Sequence, residues 1–273
     1  MAKTIETKIT VGASSPFKII HIADTHMTYA DMRDNERKVE LAERRSQYYR
    51  GAEEVLALAS STSKELSCPI FHTGDLSDFV SVANLERAKV FVDDNDVMLS
   101  AGNHEFSQYV GEAKEDAAYR EQSLAKVQAV YKNDIRASAR EINGVNFILL
   151  DDGYYKIDEG QVAFLRSELE RGLPTVIVMH TPMYEPELYA IERRHHPCGY
   201  LLAVPDEIVN TYERGRSQRA DASTWEAVNL IKGSQNVKAV IAGHVHRDYE
   251  NMLTDSIIQL TTDCETVRVI EFI

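Results

Sequence analysis

The chain has 273 residues, with 43 acidic side chains against 30 basic ones and a formal net charge of −13 at neutral pH. Hydrophobic residues make up 44% and charged residues 27%, ordinary globular usage that excludes a disordered or fibrous chain. No stretch approaches the ~18 consecutive apolar residues of a membrane helix, and residues 1–17 lack the apolar core of a secretory signal. The expectation is a cytoplasmic protein with no membrane partner, and the negative surplus disfavours nucleic acid. Cys68, Cys198 and Cys264 are odd in number and far apart, which predicts free thiols rather than a disulfide framework or a thiolate zinc site.

Taken in chain order, the apolar run Phe17–Ala23 predicts a first strand. Between Arg33 and Ser61 the apolar positions Tyr49, Ala52, Val55, Leu56 and Ala59 recur at three- and four-residue intervals, placing them on one face of a crossover helix. Strands at Pro69–Thr73 and Val97–Ser100, with a helix between, complete a βαβ pattern and predict a partly parallel sheet. Asn143-Gly144, flanked by Arg140–Ile142 and Val145–Leu150, predicts a type I′ hairpin and brings in antiparallel pairing. A helix over about Glu159–Arg171 and strands at Thr175–Met179 and Val237–Ala242 follow, with Trp225 packing on a helix before the latter. Ile257–Leu260 and Thr266–Phe272 read as an antiparallel edge. No repeat or linker divides the chain, so a single α/β domain over residues 1–273 is expected.

Polar residues with metal-ligand chemistry fall at the C-terminal ends of these strands: Asp24-Thr25-His26, Gly74-Asp75-Leu76-Ser77-Asp78, Gly102-Asn103-His104-Glu105, His180, and Gly243-His244-Val245-His246. In α/β sheets the ligand crevice lies outside those ends, so five separate segments converge. Imidazole nitrogens mixed with carboxylate and amide oxygens suit borderline divalent metals, whereas an all-oxygen set would suit magnesium or calcium. Four His, two Asp and one Asn are too many for one tetrahedral ion and fit two ions bridged by a shared carboxylate. Such a pair can bind a bridging hydroxide and the oxygens of a phosphate ester. Gly74, Gly102 and Gly243 fit sharp turns and close backbone approach. His-Glu-x-x-His, Gly-x-Ser-x-Gly, the phosphate-binding loop and the dinucleotide fingerprint are all missing from the chain.

The five blocks, in this order, resemble those of the calcineurin-like metallophosphoesterase superfamily over Asp24 to His246. The resemblance implies a four-layer α/β/β/α sandwich of two mixed sheets flanked by helices. It implies that Asp24, His26, Asp75 and His246 hold a first metal and that Asp75, Asn103, His180 and His244 hold a second, with Asp75 bridging. The metals would be manganese, iron or zinc. His104 resembles the non-ligating histidine that contacts the phosphoryl group and protonates the leaving oxygen, and Glu105 would orient it. Purple acid phosphatases carry a Tyr where this chain has Asp78 and lack the counterpart of His26, so the chain looks more like the bacterial cyclic-nucleotide phosphodiesterase group. The implied activity is hydrolysis of a small anionic phosphodiester by direct attack of the bridging hydroxide. Alternatives are a phosphomonoesterase acting on protein or nucleotide, and a non-catalytic metal-binding scaffold, which the intact ligand set disfavours.

His21 and His72, with apolar neighbours, are expected to be satisfied core or surface residues outside the site, and Asp78 a loop carboxylate or one supporting the ligands rather than a ligand itself. The interval from His180 to His244 is longer than one crossover helix needs, which predicts an insertion over about 183–222. With Asn103 and His104, its residues Tyr184, Tyr189, Arg193, Arg194, His195 and His196 are candidate substrate contacts, the basic ones supplying the positive potential the chain lacks overall. A further metal at His195, His196 and Cys198 is a lesser alternative to a solvated basic face.

Overall fold

Several strands read as nearly continuous apolar runs because they are covered on both faces. In Val145–Leu150, Phe147 and Leu149 enter one apolar cluster while Ile148 and Leu150 enter another, as the period of two along a strand dictates. The computed structural model describes residues 1–110, 118–196, 199–209 and 218–273.

The elements in chain order are β1 (Lys3–Ile9), β2 (Phe17–Ile22), α1 (Glu36–Arg45), α2 (Ala52–Leu66), β3 (Ile70–His72), α3 (Val82–Asp94) and β4 (Val97–Leu99). A 3-10 turn at His104–Phe106 precedes α4 (Ala118–Gln128), β5 (Ala137–Ile142), β6 (Val145–Leu150), α5 (Glu159–Leu169) and β7 (Thr175–Met179). Then come α6 (Pro186–His195), α7 (Ala222–Gly233), β8 (Val237–Ala242), β9 (Tyr249–Met252), β10 (Ile258–Thr261) and β11 (Thr266–Phe272).

A five-stranded sheet has the order β1-β11-β2-β3-β4 and a six-stranded sheet the order β5-β6-β7-β8-β10-β9. Ile19, Phe71, Ile270 and Phe272 of the first interdigitate with Phe147, Val178, Ile241 and Leu260 of the second. The outer face of the first sheet packs on Val55, Leu56 and Ala59 of α2 and on Phe91 of α3. The outer face of the second packs on Val162 and Leu165 of α5 and on Val228 and Ile231 of α7, with Trp225 alongside. The layers are α/β/β/α, as the family resemblance implies.

Within each sheet β2, β3 and β4, and likewise β6, β7 and β8, run parallel. Asn143 and Gly144 take φ of 48° and 78° between antiparallel β5 and β6, the backbone a type I′ turn requires. Two expectations are corrected and one strand is added. The pattern over 33–61 is two helices, because the chain turns at 46–51 ahead of Gly51, which leaves Tyr49 outside the helical face. The last two strands do not form an edge together: β10 pairs in parallel with β8 and antiparallel with the edge strand β9, while β11 crosses to the other sheet, parallel to β1 and antiparallel to β2. Finally, β1 extends the first sheet with an exposed outer face that gives little apolar signal.

Candidate metal centre

The loops after β2, β3, β4, β7 and β8 meet where the two sheets face each other. Main-chain hydrogen bonds stitch them: Asp24 N–H donates to Gly74 O (3.1 Å), His26 N–H to Asp75 O (2.9 Å) and Gly243 N–H to His180 O (2.9 Å). Asp24, His26, Asp75, His244 and His246 all adopt the left-handed backbone region, with φ of 52°, 48°, 58°, 69° and 46°. Non-glycine residues pay for that conformation, and its concentration here is the strain expected of a site whose side chains must be aimed. Gly102 is required by close approach: a Cβ there would lie 2.3 Å from Asp75 Oδ1 and 2.9 Å from His180 Cε1.

The side chains of the seven expected ligands come together. His26 Nε2 lies 3.1 Å from His246 Nε2, and Asp24 Oδ1 lies 3.5 Å from the latter. His180 Nε2 is 3.2 Å from Asp75 Oδ2, 3.0 Å from Asn103 Oδ1 and 2.9 Å from His244 Nδ1. Asp75 Oδ2 is also 3.8 Å from His26 Nε2, so this carboxylate stands between the two groups. Ligand atoms ~2.1 Å from a common ion are separated by about 3.0–3.4 Å, which matches the short edges observed. Asp24 Oδ1 is buried without a hydrogen-bond partner, the orphan acceptor a cation would satisfy. The donor set therefore fits two transition-metal ions. His104 also lies close to His26 and Asp75.

Hydrogen bonds behind the ligands fix their tautomers. His180 Nδ1 donates to Thr73 O (2.7 Å) and His104 Nδ1 to Asp78 O (2.8 Å), and since a carbonyl only accepts, the Nε2 lone pairs are left for the site. Asp78 Oδ1 bonds His26 Nδ1 at 3.0 Å and lies 3.2 Å from His104 Nδ1. Arg45 clasps the same carboxylate through Nε (2.6 Å) and Nη2 (2.7 Å). Burial pushes the Asp78 carboxyl up, but His104, His26 and Arg45 outweigh it and hold the group well below the usual carboxylate range. His180, despite burial, is pushed up to about 10 by Asp75, Asp24 and Asp152, and that concentration of negative charge draws a divalent cation in place of the proton.

The expected pairing of Glu105 with His104 is corrected. Glu105 turns away and accepts from the buried N–H groups of Asp75 (2.7 Å), Leu76 (2.7 Å) and Gly102 (2.8 Å), which need an acceptor, while Asp78 serves His104. Burial, with the Asp75 charge beside it, pushes the Glu105 carboxyl up to about 7. His21 is a core residue bonded to Thr73 (2.9 Å) and Thr262 (2.8 Å), and His72 is equally buried, bonded to Thr25 (3.2 Å).

A cavity of about 440 Å³ opens over the ligands, lined in addition by Arg45, Tyr49, His104, Tyr109, Glu192, His196, Tyr200 and Val245. Of the candidate contacts in the 183–222 segment, only His196 reaches it among the described residues. Tyr184 and Tyr189 pack around Leu188, and Arg193, Arg194 and His195 end α6 exposed to solvent. Cys198 of the lesser metal alternative lies outside the described residues. Sequence reasoning missed Tyr155, whose hydroxyl lies 2.8 Å from His244 Nε2, and Asp152, which accepts from the N–H of His180 (2.9 Å) and is pushed up to about 7 by burial. Both follow the C-terminal end of β6, the same signal that marked the other loops.

A family profile, calcineurin-like phosphoesterase, matches residues 17–248, and the chain belongs to that family. It is a metallophosphoesterase, a hydrolase acting on phosphate esters. A dimetal phosphatase from Danio rerio has a similar fold, with a TM-score of 0.52 at 16% identity over 91% of this chain and 88% of that one. The phosphopantetheinyl hydrolase of Mycobacterium tuberculosis is more distant, with a TM-score of 0.47 at 13% identity over 90% and 89% of the two chains. No curated protein matches. Among the described residues no helix is long and apolar enough to cross a membrane.

Proposed function

We propose that the chain hydrolyses a phosphodiester at a two-ion centre, with Asp24, His26, Asp75 and His246 holding one ion and Asp75, Asn103, His180 and His244 the other. Mixed nitrogen and oxygen donors suit manganese, iron or zinc. When bound, such ions supply a water of lowered pKa and neutralise the phosphoryl oxygens. His104 presents Nε2 to the cavity, where it would protonate the departing oxygen, and Asp75 and Asp78, outweighing the effect of burial, push its pKa upward. Two buried donors set by one carboxylate keep His26 and His104 in register.

The observation that favours a diester is the wall of the cavity. Tyr49 stands on one side, its ring 4.1 Å from His26, and Tyr109 and Tyr200 stand on the other, 6.4 Å apart. The one Arg or Lys among its described lining residues is already paired with Asp78. Walls of that kind suit a monoanionic phosphate bearing two organic arms better than a dianionic monoester. The free thiols Cys68 and Cys264 fit a reducing compartment such as the cytoplasm, and the 183–222 segment is an insertion within one domain. With manganese added, kcat/KM for bis(p-nitrophenyl) phosphate should exceed that for p-nitrophenyl phosphate; the reverse ratio makes the chain a monoesterase.

A further inference from the structure

The side of the cavity nearest His26 is closed by residues outside the sheets. Arg45, the last residue of α1, lines the cavity beside His26, His104 and His246, and its side chain retains 19% exposure. Its Nε and Nη2 fork onto the two oxygens of Asp78, Nη2 also reaches the Tyr49 hydroxyl (3.4 Å), and its guanidinium carbon sits 5.2 Å from the Tyr49 ring centre. Nη1 makes no hydrogen bond to a described residue. Asp78, fully buried, is the group that bonds His26 and stands against His104.

A planar guanidinium can hold a carboxylate along one edge and still donate from its remaining nitrogen, which an ammonium cannot do. Arg45 is the one Arg or Lys among the described lining residues, and with its other edge held by Asp78 this nitrogen is the N–H it has left to donate to an anion.

We propose that Arg45 contacts the substrate and positions the proton donor at once: Nη1 donates to a non-bridging oxygen of the phosphate ester, while the Nε–Nη2 edge fixes Asp78 and through it His104 and His26. The proposal rests on the phosphodiester reading. It makes α1, which no strand-end motif announces, part of the substrate site and moves the cationic contact there from the exposed end of α6.

The test titrates the manganese-loaded protein with inorganic phosphate by calorimetry and measures kcat on bis(p-nitrophenyl) phosphate and on diphenyl phosphate, whose leaving group needs a proton far more. Arg45→Ala should keep its manganese but bind phosphate about ten- to a hundredfold more weakly. Arg45→Lys should recover most of that affinity while its kcat stays depressed, more on diphenyl phosphate than on the nitrophenyl ester, because an ammonium cannot hold both Asp78 oxygens. Unchanged phosphate affinity in Arg45→Ala, or equal losses on both esters in both variants, overturns the proposal. A wild-type protein that binds phosphate and cleaves neither diester refutes the phosphodiester reading instead, and the phosphate titration of Arg45→Ala still decides the contact.

Discussion

The rim of strand-end loops and the wall above it are built on different terms. In the rim, Asp24, His26, Asp75, Asn103 and His180 are buried, five of the seven proposed ligands take left-handed backbone, and hydrogen bonds from neighbouring loops aim the rings. The wall is drawn from a helix end (Arg45), a turn (Tyr49), and the partly buried Tyr109 and Tyr200, with the exposed His196 beside them. The rim has little freedom to vary without losing its chemistry. Apart from Arg45, which clasps Asp78, the wall can change its side chains while the rim stays intact, which is how one scaffold serves many esters.

The deepest effect, on the ions as well as on turnover, should come from adding one methyl group to the rim. Gly102→Ala places a Cβ against Asp75 and His180, so metal content, read by mass spectrometry, should fall and activity with it by about a hundredfold or more. A variant that keeps two ions would show the rim to be looser than these distances allow. His104→Ala separates holding from reacting: the ions should stay while kcat drops by roughly two to four powers of ten. Loss of an ion in that variant would instead make His104 a ligand, as its closeness to His26 and Asp75 permits. The smallest effect should come from the exposed cluster on α6. In the double variant Arg193→Ala, Arg194→Ala, KM for bis(p-nitrophenyl) phosphate should move by no more than about twofold, because exposed charges outside the cavity are screened. A tenfold rise would return these residues to the substrate.

The rim was legible because its residues are chemically conspicuous and each sits just after an apolar run, so the rule for strand C-terminal ends located them. The wall was not. Tyr49 matched a helical apolar period, yet it lies in a turn and stacks on His26; Tyr109 has no periodic neighbour to mark it. Glu105 and Asp78 illustrate the same limit. Adjacency suggested that Glu105 serves His104, but four buried N–H groups, those of Asp75, Leu76, Ser77 and Gly102, claim Glu105, and Asp78, from another loop, takes the imidazole.

Sequence alone determined the donor types, their order and their place after strands, because side-chain chemistry and the period of apolar residues are local properties. Tertiary structure decided which carboxylate backs which histidine, which sheet receives β10 and β11, and which side chains wall the cavity. Those outcomes depend on hydrogen bonds and packing between segments far apart in the chain, where each buried polar group takes the partner that geometry brings within reach.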